Sequence, residues 1–323
     1  MPILAISGAN GFVGRHLVRA ACLRDLDVHA ISREADSIPP AGKIKSFTTR
    51  GPDGTVDYAG WPGGADVFIH LAGRAHVLTE TAPDPRLEYR KANVFDTLQV
   101  AHRAYETGAQ RFVFVSSIGV HGIMSPDGPV SPRSPLCPQG EYAASKLEAE
   151  LRICEFAAKR SWDVVIVRPP LMYGPGVGAN FLRLIRLADS GLPLPLGGIV
   201  NRRSFLGVDN FVDFILYAAK RNSLASGVYI PADEEVTSTS ELITQIRILL
   251  GRKDLLFKAP KRLVKFICNA FGRPTVYTQL FESLWVEYGN LLAQSGWAPP
   301  FAQSKLLSQT IDWYLNTRGH NER

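Results

Sequence analysis

The 323-residue sequence predicts an α/β fold, a doubly wound parallel sheet followed by a smaller C-terminal lobe, and three observations carry that expectation. Short apolar or β-branched runs alternate with helix-length segments through the first half. A turn with glycine at every third position follows the first run directly. After Tyr173 the alternation stops, and glycine and proline crowd the chain.

The strand candidates are residues 3–7, 28–32, 67–71, 112–116 and 164–168. Nearly continuous apolar runs indicate strands buried on both faces, hence a parallel sheet with helices on either side and ligand sites at its carboxyl edge. Residues 1–175 are expected to form mainly this domain. Residues 176–323 form mainly the second lobe, with segments such as 227–231 returning to the sheet.

Composition narrows the function. A hydrophobic fraction of 46% supports a large core, and the 28 glycines and 22 prolines are scattered, without repeats. The formal charge of +6 suits an anionic small molecule. No stripe of cations interleaved with aromatics signals nucleic acid. Cys22, Cys137, Cys154 and Cys268 show neither a CxxC pair nor metal-ligand spacing, which points to a reduced cytoplasmic protein with no metal. Without a leader pattern, or an apolar stretch near the roughly 20 residues a bilayer crossing needs, stable membrane insertion is not expected.

Gly8-Ala9-Asn10-Gly11-Phe12-Val13-Gly14 lies between the first strand and a helix opening near Phe12. Gly8 permits the tight turn, Gly11 a close approach to a pyrophosphate, and Gly14 close packing of helix on strand. A dinucleotide is therefore the expected cofactor. At the end of the second strand, an acid would hold the adenosine ribose and favour NAD. Ser32 and Arg33 stand there instead, so NADP(H) is preferred and NAD(H) possible, the alternative being that Arg33 is a solvated loop residue.

Tyr142 and Lys146 are spaced i, i+4 on one helical face. A phenol titrating near 10 needs a nearby cation for acid–base work at neutrality, and Lys146 supplies one. Ser117, at the end of a strand, offers a hydroxyl to align a reacting oxygen. Ser116 is read as structural. His121 is read as a core or loop histidine, with substrate contact as the alternative.

These segments resemble the extended short-chain dehydrogenase/reductase superfamily, in particular its UDP-glucose 4-epimerase-like epimerases, dehydratases and 4-ketoreductases of nucleotide sugars. The resemblance rests on the Gly-x-x-Gly-x-x-Gly loop, His70-Leu71-Ala72-Gly73, Ser116-Ser117-Ile118-Gly119-Val120-His121-Gly122, Tyr142-x-x-x-Lys146, Arg168-Pro169 through Tyr173-Gly174-Pro175, and Gly296-Trp297-Ala298-Pro299. It implies a Rossmann domain and a catalytic set of Ser117, Tyr142 and Lys146. The implied cofactor contacts are Gly8, Asn10, Gly11, Phe12, Val13, Gly14, Ser32, Arg33, Leu71, Ala72, Gly73, Asn93, Tyr142, Lys146 and Pro169. Asn93 is otherwise a helix-surface amide.

For the substrate, the resemblance implies Ser117, Asn180 and Arg203, the last facing a phosphate, with Arg273 a weaker second. Arg202 and Arg203 between apolar runs are costly unless solvated or matched by an anion. The expected activity is NAD(P)H-dependent reduction of the 4-keto group of a nucleotide sugar, UDP-linked and 6-deoxy or N-acetylated, for polysaccharide precursors. The alternatives are a UDP-glucose or UDP-N-acetylglucosamine 4-epimerase with retained NAD and, from another class, a non-catalytic NADP(H) sensor. The resemblance also implies a homodimer through the helices bearing Asn93 and Tyr142. Residues 258–271 read as a basic amphipathic helix, adopted as half-buried, with an anionic membrane surface as the alternative.

Overall fold

The computed structural model describes residues 2–33, 42–49, 57–58, 60–61, 63–75, 82–220, 222–272 and 274–321. The apolar runs of the first half become strands of one parallel sheet: β1 (Leu4–Ser7), β2 (Val28–Ser32), β3 (Ile44–Thr48), β4 (Val67–His70), β5 (Arg111–Val115) and β6 (Asp163–Val167). With β9 (Gly227–Tyr229), which returns from the later chain, the order is β3-β2-β1-β4-β5-β6-β9. The direction of winding reverses between β1 and β4. A crevice opens at such a reversal, at the carboxyl ends of the two strands.

Alternate residues of each strand feed two cores. On one face Ile6, Val113 and Val165 pack with α1 (Phe12–Leu23) and α6 (Val208–Ala219) through Leu17, Phe211 and Ile215. On the other, Ala5, Phe68, Phe112 and Ile166 meet Val100 and Ala104 of α3 (Asp96–Glu106) and Ile153 of α4 (Gly140–Ala158). Both faces are thus apolar, as the unbroken runs require. β3 was not among the expected strands, because it is an edge strand with one buried residue and its Ile-Lys-Ser-Phe-Thr pattern gives no apolar run.

Arg111 opens β5 as a buried clamp. Its guanidinium donates to Asp163 and to the carbonyls of Ala218, Lys220 and Leu224 at 2.6–2.8 Å, tying β5 and β6 to the carboxyl end of α6. A cation satisfying final helical carbonyls is favourable on both charge and hydrogen-bond grounds.

The smaller lobe has its own three-stranded sheet, β10 (Val236–Thr237), β8 (Arg203–Gly207) and β7 (Leu171–Tyr173), in that order. Its core joins Phe181 and Ile185 of α5 (Ala179–Asp189), Leu242 and Ile246 of α7 (Thr239–Leu249) and Leu307 and Ile311 of α11 (Gln303–Asn321). Between them in sequence come α8 (Lys261–Ala270), α9 (Pro274–Phe281) and α10 (Tyr288–Ser295). The expectation of a half-buried helix at 258–271 is corrected: Val264 is the one buried residue of α8. α2 (Pro85–Arg90) runs through a π-helical turn, Lys91–Phe95, into α3.

Candidate active site

The glycine loop leaves β1 at the crevice. Gly8 has φ +72°, and a Cβ there would sit 2.8 Å from the Ala72 amide nitrogen. A Cβ at Gly14 would fall 2.2 Å from the Gly8 carbonyl oxygen. Both positions exclude a methyl group for want of room between backbones. Gly11 caps α1 without a side-chain bond, and no acid occupies the first turn. The leading amides of Phe12, Val13 and Gly14 therefore face outward into a region of positive helix potential, beside Asn10, which suits a pyrophosphate. We expect Gly14→Ala to push α1 off the loop and weaken dinucleotide binding by tenfold or more, measured by fluorescence titration. Ser32, buried, ends β2, and exposed Arg33 follows, its carbonyl accepting from Thr48 Oγ1 at 3.1 Å.

Across the crevice, Leu71, Ala72 and Gly73 follow β4, with the Leu71 amide held by the Ser7 carbonyl at 3.1 Å. His70 is buried, with Nδ1 2.6 Å from Ser7 Oγ and Nε2 2.9 Å from Thr97 Oγ1. Burial, helped by the Lys146 charge, pushes its pKa down to about 3, so it stays neutral and structural. Asn93 is wholly buried, which excludes the surface-amide alternative. Its Oδ1 accepts from the Arg74 amide at 2.7 Å, while Nδ2 donates to the Arg74 carbonyl at 3.0 Å and to Ser145 Oγ at 2.9 Å. The π-turn aims this amide at the loop, an irregularity common at functional sites. A Cβ on Gly73 would come 2.9 Å from Asn93 Oδ1 and 3.3 Å from Lys146 Nζ.

Ser117 follows β5 and caps a short 3₁₀ turn, Ile118–His121, accepting from the Gly119 amide at 3.1 Å. The turn is fixed to the neighbouring strand connection by the Ile118 amide donating to the Pro169 carbonyl at 3.0 Å. Ser117 hydrogen-bonds Tyr142 on α4. Burial raises the Tyr142 phenol to about 12 against the Ser117 bond, and Tyr89 adds to the rise, its ring lying edge-on with centroids 6.3 Å apart. One helical turn on, Lys146 is lowered to about 8 by burial, with Glu150 opposing. Its ammonium donates to the Val115 carbonyl at 2.9 Å and lies 4.8 Å over the Phe114 ring centroid.

A further turn along α4, sequence reasoning missed Glu150. This buried carboxylate takes Arg168 Nε at 3.0 and 3.1 Å and Nη2 at 2.5 Å. Arg168 Nη1 in turn lies 2.9 Å from His121 Nε2, and His121 Nδ1 lies 3.1 Å from the Pro135 carbonyl. A ring accepting on one side and donating on the other is neutral, and burial before all else lowers its pKa. His121 is accordingly a core residue.

In the smaller lobe, Asn180 lies in the first turn of α5, its side chain 3.4 Å from Arg183 Nη1. Arg203 begins β8 and donates to the Glu282 carbonyl at 3.0 Å. Burial lowers its pKa to about 10, and no carboxylate pairs with it among the described residues. Exposed Arg202 stacks on Trp285, 3.4 Å from the ring centroid. Arg273 lies outside the described residues.

Known proteins similar to this chain identify its family. Residues 4–230 match the model of the NAD dependent epimerase/dehydratase family. The UDP-glucose 4-epimerase of Vibrio cholerae is 31% identical over 320 residues, 97% of this chain and 95% of that protein. The GDP-6-deoxy-D-mannose reductase of Pseudomonas aeruginosa is 28% identical, covering 74% of this chain and 77% of its own. Among solved structures, MoeE5 in complex with UDP-glucose and NAD superposes with a TM-score of 0.76 at 22% identity, over 98% of this chain and 99% of that one. With the glycine cradle at β1 and the Ser117, Tyr142 and Lys146 set on one crevice, this chain belongs to the NAD dependent epimerase/dehydratase family, enzymes of nucleotide sugars that work with a nicotinamide dinucleotide.

Proposed function

We propose that the protein reduces the 4-keto group of a UDP-linked 6-deoxy or N-acetylated sugar with NADPH, in the making of polysaccharide precursors. The observation that carries the reading is the end of β2, where Ser32 and then the exposed guanidinium of Arg33 stand in place of an acid. An acid there repels a 2′-phosphate, whereas a guanidinium binds one. A reductase must exchange its cofactor every turnover, and NADPH is the form suited to net reduction.

The bound dinucleotide supplies the hydride. Gly8, Gly11 and Gly14 would leave space for its pyrophosphate, Leu71, Ala72, Gly73 and Pro169 would line its nicotinamide half, and Lys146 would hold the ribose hydroxyls. Ser117 holds the ketone oxygen. Tyr142, with its phenol at about 12, is fully protonated near neutrality and gives that proton to the oxygen as the alcohol forms. Arg203, a half-buried cation with no carboxylate partner among the described residues, accepts the sugar diphosphate, with Asn180 as a polar contact. A homodimer through the helices bearing Asn93 and Tyr142 belongs to this reading, supported by the exposed apolar side chains of Phe95, which ends the π-helical turn, and Leu151 on α4.

A second reading, a UDP-hexose 4-epimerase, is favoured by the near-full-length likeness to the Vibrio cholerae enzyme. The two are separated by supplying a UDP-linked 4-keto-6-deoxy sugar and following cofactor and product together. Loss of one NADPH per alcohol formed is the expected result. Protein that instead retains NAD through purification and interconverts UDP-glucose and UDP-galactose with no added NADPH is the epimerase.

A further inference from the structure

α8 has three faces rather than two. At about 100° per residue, Val264 and Cys268 mark the side toward the lobe, and Lys261, Arg262, Lys265 and Asn269 occupy one flank. Leu263, Phe266, Ile267 and Ala270 gather on an arc turned away from the protein. Phe266 is 69% exposed and Phe271, capping the helix, 77%. Leu255 and Phe257 are exposed as well, in a segment whose backbone is pinned to Leu194 and Gly197. Large apolar side chains concentrated on one small element mark an interaction surface.

Charge selects the occupant. Between Asp254 and Glu282 the sequence holds five cations, Lys258, Lys261, Arg262, Lys265 and Arg273, and no carboxylate. Among the described residues none of the first four forms an ion pair. A second copy docked symmetrically would set these cations against each other. No helix among the described residues is long and apolar enough to cross a membrane. We propose that α8 lies in the surface of an anionic phospholipid bilayer, with Leu263, Phe266, Ile267 and Phe271 at the level of the acyl boundary and Lys261, Arg262 and Lys265 reaching the lipid phosphates. The site tethers the smaller lobe reversibly. None of its residues belongs to the proposed catalytic, cofactor or substrate set, so the tether holds whichever reaction the enzyme performs.

The test is sedimentation of the full chain with phosphatidylcholine vesicles and with vesicles that also contain phosphatidylglycerol. The expected result is binding to the second alone, weakened by added salt. Lys261→Glu, Arg262→Glu and Lys265→Glu together lower partitioning by about a hundredfold or more. Phe266→Ser with Phe271→Ser abolishes binding, and both variants keep the wild-type melting temperature and turnover of soluble substrate, since all five side chains are exposed. A wild-type protein that stays in the supernatant with anionic vesicles overturns the proposal, as does binding indifferent to both variants. A lipid-free dimer that the Phe266 and Phe271 substitutions split into monomers also overturns it and assigns the patch to a second copy.

Discussion

Tyr142→Phe lowers kcat by about 10²–10⁴-fold, the range typical of losing a positioned general acid, while changing dinucleotide affinity only a few-fold. The ring remains to pack edge-on with Tyr89, so the loss is confined to one proton and one hydrogen bond to Ser117. Stopped-flow measurement of NADPH oxidation under single-turnover conditions isolates that step. The complementary change, Lys146→Met, should weaken both turnover and cofactor binding, because the proposed ribose contact is lost together with the cation one helical turn from the acid. A Tyr142→Phe enzyme retaining a tenth of wild-type rate would move the proton source elsewhere.

The second large effect is on stability. Glu150→Ala is expected to destabilise the fold by about 3–5 kcal/mol, measured by denaturant unfolding, because it strands the buried guanidinium of Arg168. Glu150 and Arg168 are only 2% and 4% exposed. Water therefore cannot replace the lost carboxylate. Removing both charges by Glu150→Met with Arg168→Met should recover most of the loss, because the desolvation cost disappears together with the attraction. Loss of Glu150 also removes the charge that holds up the Lys146 ammonium, so even the shape-preserving Glu150→Gln lowers the Lys146 pKa further below about 8. The activity of Glu150→Gln then departs from wild type at lower pH.

Tyr142, Lys146 and Ser117 were legible in the sequence because their geometry is local: one helical face, and the end of one strand. β1, β2, β4, β5 and β6 were legible because burial on both faces leaves an unbroken apolar run, though their ends shift by up to a residue. The Glu150 to Arg168 pair crosses from α4 to the end of β6, and neither residue's spacing announces the other. It shows only when α4 is laid on the sheet. β8 and β10 hide for a different reason, since β8 reads Arg-Ser-Phe-Leu-Gly and β10 has two residues, so neither gives an unbroken apolar run. α8 has the same periodicity whether half-buried or nearly bare. Its surroundings decide, and those come from residues far away in the chain.

The glycine contacts at Gly8, Gly14 and Gly73 divide the enzyme into a part that resists evolutionary change and a part that permits it. Gly8 and Gly73 exclude a single methyl group because an atom from a distant segment already occupies the place, and Gly14 does so because the loop's own Gly8 and Ala9 backbone fills it. Substitution there disturbs two segments at once. Asn180 and Arg203, our proposed contacts to the sugar diphosphate, are side chains at the start of a helix and of a strand in the smaller lobe, where replacement would alter what is held and spare the glycine frame. A lineage with this architecture can trade one sugar for another while inheriting its hydride chemistry intact.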